Sequence, residues 1–351
     1  METYLAQYKP QLDKKNIIIT GSLFFLLALY IFSLGLEVII KAILKANFLF
    51  VTIAILLYYF SLVLRTYRWI LFLKALNIIE MSNISLWNIY TLITYSFSLN
   101  NVFPLRMGEL YRPYEYSRKT NYPLISSFAT VILERTFDVC VMIGLIFFFL
   151  SFLGFETFLD ITDVLRIIIM SIGIVVGFLS FLVLLSRPKT GTLLIRFLNR
   201  IANILQKRVI TNEEETATEL ANHLTLLFQN QKALGLGLGY TIIIWIIEGI
   251  IFWIISVSMS LNMTIMMATF ILLSAGLIGN SITSASGLGQ LPFMVAQLLF
   301  FLAISEELAL SVSIIYLLAV FWLIIPVGTL LHLTIKSTSK KSIREAELNH
   351  D

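Results

Sequence analysis

A chain of 351 residues that is 58% hydrophobic and only 13% charged falls outside the range of soluble globular domains, in which roughly a quarter of residues carry charge. The single Cys140 excludes a disulfide framework and a thiolate metal cluster within one chain. The net charge of +4 is modest, and the basic residues lie between apolar runs, where they set membrane orientation rather than bind nucleic acid.

About 20 apolar residues in a helix cross the hydrocarbon layer, and helices satisfy the backbone amides that lipid cannot. The period-2 alternation of a membrane barrel is absent. The expected fold is therefore an all-α polytopic membrane protein, one transmembrane domain over 1–351. Full crossings are predicted near 17–36, 47–64, 124–152, 165–186, 234–260 and 308–335, about six in all.

Lys9, Lys14 and Lys15 precede the first run, which reads as a retained anchor with a cytoplasmic N-terminus, because no small-residue cleavage site follows it. Lys41 and Lys45 fall outside by this topology and are assigned to snorkelling at helix ends. After the second crossing, Arg65, Arg68-Trp69 and Lys74 read as interfacial anchors on the inner side, with a lipid-phosphate contact as the alternative.

The run 86–103 ends in Asn100-Asn101-Val102-Phe103-Pro104, which a straight lipid-facing helix has no use for. Irregular backbone at membrane depth survives only against protein or a wet cavity, so this segment is expected to turn back as a re-entrant or broken helix. Arg106, Arg112, Arg118 and Lys119 then stay inside, while Glu156, Asp160 and Asp163 fall outside. The polar stretch 187–232 is expected as an amphipathic insert on the cytoplasmic face. Gly235, Gly237 and Gly239 lack a preceding strand and read as close-packing positions rather than a dinucleotide fingerprint. The run 265–304 is broken by the polar stretch from Asn280 to Gly289 and gives a second hairpin. Glu306 and Glu307 stay outside, and Lys336, Lys340, Lys341 and Arg344 end inside with the C-terminus.

Each half, 17–152 and 165–335, thus makes three traverses and carries one hairpin. An odd number inverts the second half relative to the first, and inverted repeats with broken helices meeting near the midplane are a recurring transporter plan. No soluble domain is expected to flank the helices, so the membrane part should carry the function.

Two constellations could carry chemistry. In the first, Asn100 and Asn101 can bind a polar headgroup, and Arg106 and Arg112 can hold phosphate by bidentate hydrogen bonds. Glu109 can pair with either arginine or accept a substrate ammonium. The plain alternative is a loop whose arginines set topology. In the second, Glu134, Arg135 and Asp138 sit in an otherwise apolar helix at spacings that share one face. Ionisable groups there are costly and are expected to face inward and pair, as a gate or as a structural ion pair. Glu248 stands alone in its helix, either to carry a proton or to pair with a first-half arginine. His223, His332 and His350 are scattered, and no metalloprotease motif or Walker loop occurs, so neither a metal, an ATP site nor another cofactor is expected.

Asn101-x-x-Pro104-x-Arg106-x-Gly108-Glu109, followed by Arg112 and Glu134-Arg135-x-x-Asp138, resembles the lysylphosphatidylglycerol synthase transmembrane family, also called flippase-like or UPF0104. Arg65-x-x-Arg68-Trp69 is similar to its earlier Arg/Trp motif, and Gly287-x-Gly289 to its late Gly-rich loop. The chain departs from the family where Ser284-Ala285-Ser286 precedes Gly287 and no Glu follows closely, and where Tyr316-Leu317 stands near the family's usual Arg. The resemblance implies a plasma-membrane protein with a lipid or polyprenyl-linked substrate. Without the family's cytosolic aminoacyl-transfer domain, it does not imply lysyl-lipid synthesis.

The expected function is translocation of a polar or anionic lipid by a non-enzymatic protein. Asn100, Asn101, Arg65, Arg68, Arg106, Glu109 and Arg112 would meet the substrate. Glu134, Arg135, Asp138, Glu248, Asn280, Gly287 and Gly289 would support or gate it. The rivals are a membrane-embedded transferase using Glu134 with Asp138 as acid and base, and a non-transporting partner of a lipid-modifying enzyme.

Overall fold

Every described element is helical, as a chain without water around its backbone requires. The computed structural model describes residues 36–76, 85–103, 106–120, 122–152, 213–282 and 290–334, with isolated positions between 169 and 196. The predicted crossing at 17–36, the N- and C-terminal basic clusters, and most of the crossing at 165–186 lie outside the described residues.

The helices are α1 (Leu36–Lys45), α2 (Phe48–Ala75), α3 (Leu86–Val102), α4 (Met107–Thr120), α5 (Leu124–Phe152), α6 (Glu213–Gln229), α7 (Gln231–Ser258), α8 (Ile265–Ile282), α9 (Gln290–Phe301) and α10 (Glu306–Thr334). Of these, α2, α7 and α10 are long and apolar enough to cross a membrane by length and composition. Polar residues fix where several begin. Asn47 accepts from the Leu49 amide, Ser85 from Asn88 and Asn230 from Ala233, each satisfying an otherwise orphaned donor.

Helices α2 and α7 form the centre and run antiparallel: the Asn47 amide at the start of α2 donates to the Ser258 carbonyl at the end of α7. Two apolar clusters lie along α2. Tyr58 and Leu62 pack with Phe252, Ile255, Leu272 and Tyr316 from α7, α8 and α10. Trp69, Phe72 and Leu73 pack with Ile93, Ala129, Leu133 and Leu220 from α3, α5 and α6. Arg65 and Arg68 fall between the two.

Both broken runs form two-helix hairpins. In the first, α4 folds back on α3 through Arg106, whose φ of 50° lies in the left-handed region that side chains other than glycine rarely adopt. The Ser96 hydroxyl donates to the Gly108 carbonyl at 2.6 Å, and a Cβ at Gly108 would lie 1.8 Å from the Ser96 carbonyl oxygen. In the second, α9 packs back against α8. Each hairpin also leans on the other half: α3 on α10, and α8 on α5 through Leu273, Met142 and Phe149.

Helix α10 contains a π-helical stretch, Leu317–Trp322, which shifts its hydrogen-bond ladder. Helix α3 engages carbonyls in this stretch and just after it. Asn101 Nδ2 donates to the Phe321 carbonyl at 2.8 Å, and the Ser98 hydroxyl donates to the Ile324 carbonyl at 2.7 Å.

Four expectations change. The second crossing does not end at residue 64, since α2 continues through Arg65 and Arg68 to Ala75. The stretch after Arg106 is a helix rather than a loop, because Gly108 lets it pack directly on α3. The described end of the 187–232 insert, α6, buries Ala217, Leu220, Leu224 and Leu227 against α2 and α5, so this stripe faces protein and not a lipid surface. Lys41 and Lys45 need no snorkelling, because they pair with Glu37 at 2.7 Å and Glu307 at 2.9 Å. Of Gly235, Gly237 and Gly239, only Gly237 packs tightly, against Phe72, while the other two meet nothing within 4 Å.

Gly108→Ala should therefore lower the thermal unfolding temperature of the purified protein, at a cost of about 1–3 kcal/mol for overpacking. Gly239→Ala, which adds a methyl group into open space, should leave it unchanged.

Candidate functional site

Spacing on four helices brings the charged residues together. On α2, Ser61, Arg65 and Arg68 follow at intervals of four and three; on α5, Glu134 and Asp138 are four apart; on α7, Thr241, Trp245 and Glu248 repeat at four and three. Helix α4 and the turn before it add Arg106, Glu109 and Arg112.

Arg68 is the most enclosed of the arginines, only 2% exposed. Its Nη1 donates to Asp138 Oδ1 at 2.7 Å and to Thr241 Oγ1 at 2.9 Å, and its Nε donates to Glu134 Oε1 at 3.3 Å. The other Glu134 oxygen accepts from Arg112, whose guanidinium lies 4.6 Å over the Trp69 ring. Trp69 is itself fixed by donating from Nε1 to Thr130 Oγ1. Asp138 also accepts from Arg135 at 3.2 Å and from Trp245 Nε1 at 3.3 Å. Arg65 pairs with Glu248 at 2.9 Å, Ser61 donates to the same carboxylate oxygen, and the Arg65 guanidinium sits over Phe97 and Trp245.

One end of the cluster is open. The side chains of Arg106 and Arg135 are 28% and 25% exposed, and Glu109 between them is 15% exposed. Glu109 Oε1 lies 2.5 Å from Arg106 Nε, and its Oε2 lies 2.9 Å from Arg135 Nε. Arg106 Nε, Arg135 Nε and Glu109 Oε1 nonetheless make no directed hydrogen bond. Contact by charge alone is weaker than the hydrogen-bonded pairs deeper in.

Five arginines (65, 68, 106, 112 and 135) face four carboxylates (109, 134, 138 and 248), leaving one positive charge in the cluster. The open end, with two arginines on one carboxylate, carries that excess. Among the described residues no group of acids, histidines and cysteines is arranged to hold a metal.

The structure thus gathers Arg65, Arg68, Arg106, Glu109, Arg112, Glu134, Arg135, Asp138 and Glu248 into one network. Arg65 and Arg68 are not interfacial anchors, since both are buried against acids from other helices. Of the two roles expected for Glu248, the pairing with a first-half arginine is the one observed, because Arg65 reaches it. Asn100 and Asn101 are buried, and Asn101 is committed to the α10 backbone. Asn280 is placed only by its backbone, in the last turn of α8, and Gly287 and Gly289 lie outside the described residues. Ser61, Thr241 and Trp245 also belong to the cluster and are not among the residues the sequence singles out. Their spacing to Arg65 and Glu248 was the available signal, but hydroxyl and indole groups in apolar helices mark no chemistry by themselves.

Comparison with known proteins finds relatives of the sequence. Residues 17–328 match the family described as the lysylphosphatidylglycerol synthase TM region. A UPF0104 membrane protein of Methanocaldococcus jannaschii is 28% identical over 233 residues, 66% of this chain and 92% of its own length. Another, from Methanothermobacter thermautotrophicus, is 24% identical over 86% of this chain and 90% of its own length. A third, from Pyrococcus horikoshii, is 25% identical over 82% and 88% respectively. No solved structure matches significantly.

Removing one partner of a buried pair strands the other, at a cost of about 3–5 kcal/mol. Glu248→Ala should accordingly lower the unfolding temperature sharply by leaving Arg65 uncompensated. The double change of Arg65→Met with Glu248→Met should recover most of that loss. Equal losses in the single and double variants, measured by thermal unfolding in detergent, would contradict the pairing.

Proposed function

The chain belongs to the lysylphosphatidylglycerol synthase transmembrane-region family, and from that premise we propose that it is a lipid translocase of the plasma membrane and not an enzyme, with both termini in the cytoplasm. The headgroup is received at the Arg106–Glu109–Arg135 end of the charged cluster while the hydrocarbon tails stay in the bilayer. The observation that carries this reading is the graded cluster: a fully neutralised interior of Arg68, Arg112, Glu134 and Asp138, opening toward a side with one spare positive charge. An unbalanced guanidinium at the accessible end offers an anion a partner that the neutralised interior does not.

The packing supports a two-fold plan for the machine. A long helix, a hairpin and a further helix follow in the order α2, α3–α4, α5, and again in the order α7, α8–α9, α10. Each hairpin rests on the last helix of the opposite half, as an inverted repeat requires. Rocking one half against the other would move the α3–α4 hairpin relative to α10 through its Asn101 and Ser98 contacts. Outward movement of an anion is favoured by about 2.3 kcal/mol per charge per 100 mV of inside-negative potential, so the charge on the lipid can supply the driving force.

The transferase alternative is weaker on this geometry. Glu134 and Asp138 are each held by two arginines inside the protein, which leaves neither placed to exchange a proton with a substrate.

Reconstitution of the full chain into liposomes with fluorescent phospholipids tests the proposal. Transbilayer movement should exceed that of protein-free vesicles. It should fall about tenfold in Arg106→Ala, the loss of one charge-assisted hydrogen bond to phosphate. Rates equal to protein-free vesicles across anionic, zwitterionic and polyprenyl phosphate lipids would refute it.

A further inference from the structure

The charged cluster also restricts which headgroup fits. An ammonium group inside a protein is held by a carboxylate or by the face of an aromatic ring. All four carboxylates of the cluster are already matched to arginines: Glu109 to Arg106 and Arg135, Glu134 to Arg68 and Arg112, Asp138 to Arg68 and Arg135, and Glu248 to Arg65. Three aromatic faces beside them, among the described residues, are taken as well. Arg112 covers Trp69, and Arg65 covers Phe97 and Trp245. The second hairpin cannot supply a missing acid, since residues 265–304 contain no Asp, Glu, Lys or Arg.

Donors, by contrast, remain. Arg65 Nε and Arg112 Nε are buried and donate to no hydrogen-bond partner among the described residues. At the open end, Glu109 presents its two oxygens to the Nε atoms of two different arginines, Arg106 and Arg135. A phosphate oxygen pair bridging the same two guanidinium groups would stand in the same relation to them. The Glu109 contacts lack hydrogen-bonding direction at Arg106 Nε, Arg135 Nε and Glu109 Oε1. Of the four carboxylates it is also among the most exposed, at 15% against 1% to 5% for the other three. It is the carboxylate that leaves most cheaply.

Resting on the translocase reading, we infer that the lipid this site accepts carries a phosphate anion and no ammonium group, and that Glu109 holds the phosphate's place between Arg106 and Arg135 until the lipid displaces it. Glu109 then sets affinity by competition. It lowers binding of every anionic lipid while keeping two partly exposed guanidinium groups paired when none is bound. Zwitterionic and aminoacylated lipids are disfavoured because the described cluster carries one spare positive charge, which a phosphate neutralises and an added ammonium restores.

Lipid titration of the detergent-purified full chain by native mass spectrometry tests this without requiring transport. With matched acyl chains, phosphatidylglycerol should bind more tightly than phosphatidylethanolamine and more tightly still than lysyl-phosphatidylglycerol. Glu109→Gln should strengthen phosphatidylglycerol binding about fivefold, a shift typical of losing one partly exposed competing charge, and Arg135→Gln should weaken it. Equal or tighter binding of the lysyl lipid, or weaker phosphatidylglycerol binding in Glu109→Gln, overturns the inference. Should that variant fail to fold, the ranking of the three lipids on the wild-type chain decides by itself. Inorganic phosphate displacing phosphatidylglycerol at equal concentration would assign the site to a soluble anion and also overturn it. The two readings fail separately: the predicted ranking without liposome transport sinks the translocase alone, and transport led by the lysyl lipid sinks the headgroup assignment alone.

Discussion

Charge inside an apolar helical protein must be neutralised where it stands, and this constraint organises the whole of the described structure. Arg65 and Arg68 on α2 cannot reach water, so acids from α5 and α7 have to meet them. Those meetings fix more than charge. They set the rotation of α2, α5 and α7 about their axes, and they draw α4 inward through Arg112 to Glu134. Apolar packing alone leaves helices in lipid free to slide and turn, because Leu against Leu is little better than Leu against acyl chain. A hydrogen-bonded ion network has one geometry.

The first hairpin is held by different means at its two faces. Toward the charged cluster it contributes Arg106, Glu109 and Arg112. Toward the second half it relies on backbone groups, with Asn101 donating to a carbonyl of the π-helical stretch of α10, Ser98 to the Ile324 carbonyl just after it, and Gly328 allowing α10 close to Ser98 and Thr94. At the far end of α10, His332 stacks on Tyr95 at 4.1 Å between ring centres and lies 3.3 Å from the Tyr111 hydroxyl. One hairpin therefore joins the arginine cluster to the last helix of the other half.

The two halves are unequal in chemistry although similar in layout. The first carries every arginine of the cluster and three of its four acids; the second contributes Glu248 alone, with Thr241 and Trp245 as neutral donors or acceptors beside it. The uncharged second hairpin packs on α5 and α7 by apolar contact and small residues, as where Gly249 faces Thr269. Charge is thus concentrated in the first half, on α2, α4 and α5, and is braced by an uncharged second hairpin.

The sequence by itself determined the class. Long apolar runs leave no alternative to helices in a membrane, and the polar interruptions after Leu99 and after Gly279 mark the two broken segments because straight spans cannot hold them. It also exposed the acids and arginines as a set, since any ionisable group inside such a run demands a reason. What it could not supply was partnership. Arg65 and Arg68 read as interfacial anchors because periodicity shows which face of a helix a residue occupies but not what stands opposite. Glu248 lies 183 residues from Arg65, Asp138 lies 70 from Arg68, and Lys45 finds Glu307 across 262. Only the tertiary structure decided which charges neutralise one another and which arginines are left at the open end, because helix–helix contact joins positions whose separation along the chain carries no record of it.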